Sequence, residues 1–247
     1  MHRSAVFGLR LLPTAAILGV IVGAVYGLWY PGGHAGIAGV GVPVLVLAGV
    51  AVVLGPVLSA VVYRPGKPGL AADLAVLAVL EFGTVAVLAS LLCLRQPAYL
   101  VFAVDRFEVV SRGEVDPDAF VEPGLARRPA HAPRLIHARM PADPEAFDRL
   151  LDETVLMGLP DIDRRPEFWE PYATALPLVL AKARPLGDLL GPGDPRRAAV
   201  SRWLGEQSAA AADFRFLPVR GRRADGIMVL HARVGFPVAV LQVEPWE

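Results

Sequence analysis

The chain holds one cysteine, Cys93, so no intrachain disulfide is available to staple any part of it. It has two lysines, Lys67 and Lys182, against 22 arginines. Basic and acidic side chains balance at 24 each, and the absence of a basic excess excludes a nucleic-acid binder that must neutralise phosphates. Only 19% of residues are charged, well under the quarter usual in soluble domains, and the mean hydropathy is +0.48. The deepest absence is local. From Leu11 to Tyr63, 53 consecutive residues carry no Asp, Glu, Lys or Arg.

A bilayer-crossing helix needs about 20 apolar residues, so that run is too long for one span and suits two. Pro31-Gly32-Gly33-His34, followed by Gly36, Gly39 and Gly41, breaks it. Span 1 is predicted over 11–30, ending in Trp29 and Tyr30, and span 2 over 42–63, ending in Tyr63, with rings placed to favour the headgroup layer. A third apolar stretch, 70–94, holds only Asp73 near its start and Glu81 inside. The apolar run continues past the small-residue site Val22-Gly23-Ala24, longer than a cleaved leader, so span 1 reads as an anchor. Arg3, Arg10, Arg64 and Lys67 flank the spans on one side, and the 31–41 loop has no Lys or Arg. The positive-inside rule then puts the N-terminus in the cytoplasm and everything after Arg95 outside.

Glu81 is predicted about 12 Å deeper than Asp73 by helix rise. A carboxylate at that depth must face protein, either a hydrogen bond within the bundle or a contact to another membrane helix. Gly19 with Gly23 on span 1, and Gly49, Gly55 and Pro56 on span 2, are small or kinking residues that let helices approach closely.

Residues 96–247 carry 19 basic and 22 acidic side chains, a net of −3, and are enough for one domain. Tyr99–Val104 and Phe107–Val110 read as strands, with a shorter one at Leu135–Arg139. Asp143-Pro144 is a cap followed by proline at the first helical position, and Phe147, Leu150, Leu151 and Val155 recur at helical spacing toward a core. Asp194-Pro195 repeats the signature, and 168–183 reads as a proline-interrupted helix. Strands at 214–219, 227–233 and 236–243 form an antiparallel meander, the last apolar on both faces and so central or covered. Pro123–Pro133 reads as a linker. The expected fold is three transmembrane α-helices in 1–95, followed over 96–247 by an α+β periplasmic domain with an antiparallel sheet.

Chemistry-bearing motifs are few. The five histidines show no ligand pair at helical spacing, no glycine-rich loop matches a phosphate cradle, and no serine lies in a Gly-x-Ser-x-Gly turn. Asp161-Ile162-Asp163 has the acid-x-acid spacing some sugar transferases use to hold a divalent ion, but Arg164-Arg165 compete for the carboxylates. Arg220, Arg222 and Arg223 read as a solvated hairpin tip. The sequence predicts no catalytic residue, no metal and no cofactor.

Trp29-Tyr30-Pro31-Gly32, Leu54-Gly55-Pro56, the Arg64–Leu70 loop, the twelve residues from Tyr99 to Val110 and the closing Pro245-Trp246 together resemble the type IV pilin accessory proteins of the TfpX/TfpZ kind. The resemblance spans the chain and is most specific at Tyr99–Val110. It implies a multi-pass bacterial inner-membrane protein that assists a cognate pilin, without enzymatic activity, through lipid-embedded and periplasmic contacts. The family pattern often has an acid just before Val-Leu-Gly-Pro, where this chain has Ala51; the departure implies either a different pilin or reliance on Glu81 instead. Asp105 and Arg106, between the first two strands, are the candidate contacts to the pilin head, or else a turn paired with itself. Trp29 and Tyr30 are candidates at the membrane surface. Two other roles remain open: a pilin-modifying transferase using Asp161 and Asp163, and a structural subunit bound to assembly-platform proteins.

Overall fold

Three helices are long and apolar enough to cross a membrane in the computed structural model, which describes residues 3–29, 39–126 and 133–246. They are α1 (Arg3–Ala24, continued by a π-helical turn Val25–Trp29), α2 (Gly41–Val62) and α3 (Leu70–Leu94). Their outer faces are apolar and bare, with Leu12, Leu45, Val79 and Val87 all more than half exposed. Such a surface suits hydrocarbon rather than water. Inside α2 the ladder widens into a π-helical turn at Val53–Val57 around buried Pro56, whose ring cannot accept the normal α-helical spacing.

α1 begins at Arg3, eight residues ahead of the predicted start. It therefore contains Arg10 and Pro13, which the sequence reading put outside or at the edge of the span. The charge is accommodated because Arg10 turns toward α3, as described below. Arg10 thus lies within a helix, as Glu81 does. Trp29 is the last described residue of this helix, and Tyr30 and the loop through residue 38 lie outside the described residues.

From Gln96 onward the chain forms a second compact unit built on an eight-stranded sheet. Its strands are β1 (Pro97–Ala103), β2 (Arg106–Ser111), β3 (Arg134–Ala138), β4 (Trp169–Pro171), β5 (Arg184–Pro185), β6 (Phe214–Arg220), β7 (Asp225–His231) and β8 (Pro237–Leu241). The order is β4-β3-β1-β2-β6-β7-β8, with β5 beside β6. The predicted C-terminal meander is present, but the sheet is mixed: β1/β3 and β2/β6 are parallel. Both parallel joints are crossovers, made where a long segment leaves the sheet and returns, and sequence alternation carries no record of them. The β2/β6 joint is short, pairing only Phe107 with Val219 and Glu108 with Arg220.

β1 is buried along its whole length because helices and loops cover both faces. On one side Phe102, Phe107, Tyr172, Val179, Leu217 and Met228 form a core; on the other Tyr99, Val101, Val110, Ile136, Leu150 and Trp169 form a second. A third cluster around Leu186, Trp203, Phe216 and Ile227 underlies the C-terminal strands. The hydroxyl of Tyr172 donates to the carbonyl of Gly235 at 2.6 Å, and Gly235 sits at φ +71, a backbone conformation that favours glycine, where a Cβ would fall 3.3 Å from Leu176.

The helix α4 (Pro123–Ala126) occupies the start of the expected linker, whose residues 127–132 are outside the described set. α5 (Pro144–Val155) starts as predicted, with the Asp143 carboxylate accepting from the Ala146 N–H at 3.0 Å. The 168–183 segment is not one interrupted helix but a short strand β4, a 3-10 turn and α6 (Leu176–Lys182); Pro171 lies in the strand, and Pro177 is accepted in the first turn of α6, where its missing N–H costs nothing. α7 (Arg197–Gln207) starts beyond Asp194-Pro195, since Asp194 folds back onto the N–H and guanidinium of Arg196. β8 is the edge of the sheet, so of the two alternatives it is covered and not central: Val240 packs on one core and Ala239 and Leu241 on another.

Candidate functional site

Two polar constellations stand out, one in each unit. Within the helices, Glu81 lies near the middle of α3 and is 4% exposed. The Thr14 hydroxyl of α1 donates to its Oε1 at 2.7 Å, and the Arg10 guanidinium reaches its Oε2 at 3.8 Å while donating to the Leu74 carbonyl at 3.0 Å. From α2, Gly55 presses against the carboxylate: a Cβ there would fall 2.2 Å from Oε1. One acid thus ties three helices together, and a small residue makes the space. This is the intrabundle hydrogen bond that the sequence allowed for, strengthened by a cation it placed outside the span. Ala51 and Glu81 line the same gap of about 10 Å³.

In the sheet unit the turn between β1 and β2 opens a cleft of about 390 Å³, bounded on its far side by the 3-10 turn Ile162–Arg164. Val104 holds φ 58, and the Asp105 N–H donates to the Ala103 carbonyl at 2.7 Å, two residues back. A tight turn centred on a β-branched residue in the left-handed region is strained. Asp105 and Arg106 pair with each other at 2.9 Å, which is the self-contained turn weighed above. Arg106 does more than that. Its guanidinium stacks 5.1 Å from the ring centre of Trp246, which Arg220 approaches to 6.0 Å. The Trp246 ring N–H is fixed by Asp225 at 2.9 Å.

The floor of the cleft is acidic. Glu108, 7% exposed, lies beside Arg220 on the neighbouring strand at 3.6 Å. Asp163, 6% exposed, is paired with Arg164. Burial, then the negative charge of Asp163, push the Glu108 carboxyl up to about 7 against the pull of Arg220, Arg164 and Arg106. Burial also raises Asp163, opposed by Arg164 and reinforced by Asp161. Asp161 is exposed and spends one oxygen on the Ile162 N–H at 2.7 Å.

The structure therefore pairs Asp163 with Glu108 and leaves Asp161 on the rim. Sequence analysis did not single out Glu108, since an acid in Phe107-Glu108-Val109-Val110 fits the solvent face of a half-buried strand; the signal was its place in an apolar run. Arg220 closes a sheet joint and Arg222 approaches Glu114 at 4.0 Å, so the basic tip is partly engaged. Among the described residues no group of three or more His, Cys, Asp or Glu converges as a metal site.

Comparison with protein-family models, curated proteins and solved structures gives no match to this chain. Its function is therefore argued from the residues themselves.

Proposed function

We propose that this chain is a multi-pass inner-membrane accessory protein of a bacterium, chaperone-like and non-enzymatic, that assists a cognate type IV pilin in stability or assembly. Its N-terminus faces the cytoplasm and its sheet domain the periplasm. The observation that carries this reading is the Glu81 cluster. It joins α1, α2 and α3 through groups inside the bundle and so leaves a continuous apolar outer face for lipid and for one more helix. A pilin awaiting assembly presents such a helix together with a soluble head, and a partner for it needs a lipid-facing surface and a soluble domain in one chain. The resemblance at Tyr99–Val110 points the same way. With Ala51 in place of the family's acid, Glu81 supplies the carboxylate at the same gap.

The test is photocrosslinking in intact cells from position 79 of α3, where Val79 is 72% exposed, to a type IV pilin of the same bacterium, together with pilin levels in a deletion strain. A pilin adduct and a fall in pilin or pili support the reading. A C-terminal tag reachable only from the cytosol, or no adduct and unchanged piliation, overturns it.

A second reading, a pilin-modifying enzyme, is favoured by one observation: two buried carboxylates, Glu108 and Asp163, share an open cleft with one poised near neutrality. It moves the chemistry from Asp161/Asp163 to Glu108/Asp163. Loss of a pilin modification in Glu108→Gln, with the protein still accumulating, decides for it.

A further inference from the structure

The sheet divides naturally between β2 and β6. On one side lie β4, β3, β1 and β2, on the other β6, β7 and β8, and only Phe107 with Val219 and Glu108 with Arg220 pair across the seam. Successive strand residues point to opposite faces. Phe107 and Val219 accordingly face the core that both halves share with Tyr172 and Val179, whereas Glu108 and Arg220 line the cleft. The core face of the seam is continuous apolar packing and the other face is open. Any loosening is therefore hinged on the core and widens the cleft. A side-chain link crosses the same seam, since Trp246 stacks on Arg106 of β2 and on Arg220 of β6.

Glu108 sits in this seam in surroundings that do not suit a buried charge. From β6 it faces Arg220, which stays at 3.6 Å, too far for a good hydrogen bond. From the 3-10 turn it faces Asp163 and Arg164, with Asp161 at the rim, and from its own strand Arg106. Its partner on β1 is the uncharged Val101. Arg164 is paired with Asp163, and Arg106 with Asp105. Two buried carboxylates beside one cleft resist being ionised together. A proton on Glu108 removes both its burial cost and the repulsion from Asp163 while the seam stays shut. Ionised Glu108 regains its hydration only when the cleft side opens to water. The shut seam thus holds the proton more tightly than the open one, and closure weakens as pH rises.

We propose that Glu108 is a proton-operated latch on the β2/β6 seam: protonated, it keeps the cleft narrow; ionised, it lets the two halves of the sheet part on their shared core and widens the cleft. The latch is independent of the function proposed above. Whatever occupies the cleft, its binding then depends on pH.

The test is amide hydrogen exchange of the full chain in detergent micelles, read residue by residue by NMR and corrected for the intrinsic pH dependence of exchange. Glu108 titrates at about 7 in the shut seam against 4.5 for a free carboxyl. The opening constant of amides facing each other across β2 and β6 should therefore rise about 70-fold from pH 5 to pH 8. Amides between β6 and β7 should stay better protected than these at both pH values. Glu108→Gln should keep the seam shut throughout, and Asp163→Asn should make the rise smaller by removing the neighbouring charge. No rise in the parent overturns the latch. So does a full parental rise in Glu108→Gln or, should that variant not fold, in Asp163→Asn. Seam amides protected as well as the β6/β7 amides at pH 8 would mean that all exchange in one event, which overturns the hinge and makes the effect an unfolding of the whole domain.

Discussion

Replacing Glu108 by Gln should stabilise the sheet domain at pH 8 and do far less at pH 5. Glu108 titrates at about 7 in the folded chain against 4.5 for a free carboxyl. A group raised in this way costs nothing below pH 4.5, where both states hold the proton. Between 4.5 and 7 the unfolded chain gives up its proton first, so stability falls as pH rises; above 7 the cost is constant. At about 1.4 kcal/mol per unit the full cost is about 3 kcal/mol, and under about 1 kcal/mol of it is present at pH 5. Gln keeps the shape and the hydrogen-bonding capacity toward Arg220 without the charge, so it removes that cost. For a domain of this size the gain at pH 8 corresponds to roughly 6–12 °C in melting temperature. The assay is thermal unfolding of the detergent-solubilised full chain at both pH values, followed by the fluorescence of Trp169 and Trp203, both buried in the domain. A variant that melts lower than the parent at pH 8, or gains as much at pH 5 as at pH 8, would show Glu108 to be a settled anion on Arg220 and refute the reasoning.

Gly55→Ala drives a methyl group into the Glu81 carboxylate and should cost about 1–3 kcal/mol of bundle stability, seen as a lower level of protein in membranes. Combining it with Glu81→Ser, which vacates the space, should return part of that level. Trp246→Ala removes the ring on which Arg106 and Arg220 stack, and should lower domain stability by about 1–2 kcal/mol in denaturant titrations. Val104→Gly relieves the left-handed φ at an exposed position and should raise stability by about 1 kcal/mol, measured in the same way.

The spans were legible because lipid imposes one rule, sustained absence of charge, and 53 residues obey it. What escaped was the start of α1, since Arg10 breaks that rule and is excused by Leu74 and Glu81, 64 and 71 positions later in the chain. Local signals in the sheet domain fared similarly. The Asp143 cap was visible because cap, proline and first turn are neighbours, whereas β2 meets β6 across more than a hundred residues and leaves no local pattern. Leu151 and Val155 carried the helical period of a core-facing stripe yet lie outside; periodicity records which side chains share a face, not what covers it. At the cleft, Asp163 was picked out with Asp161 but without Glu108. Spacing put Asp161 beside it, while strand pairing and the return of the Ile162–Arg164 turn put Glu108 there.

The two-rung parallel joint between β2 and β6 bears on how the domain assembles. On either side of it the chain offers short-range hairpins, β1 with β2 and β6 with β7 and β8, each able to zip from its own turn. Closing the joint requires the longest loop in the domain and gains two rungs in return, so it should come last on the refolding path. Substitutions at Phe107 or Val219 would then speed unfolding more than they slow folding, and the late species would carry both hairpin blocks already formed but not yet joined.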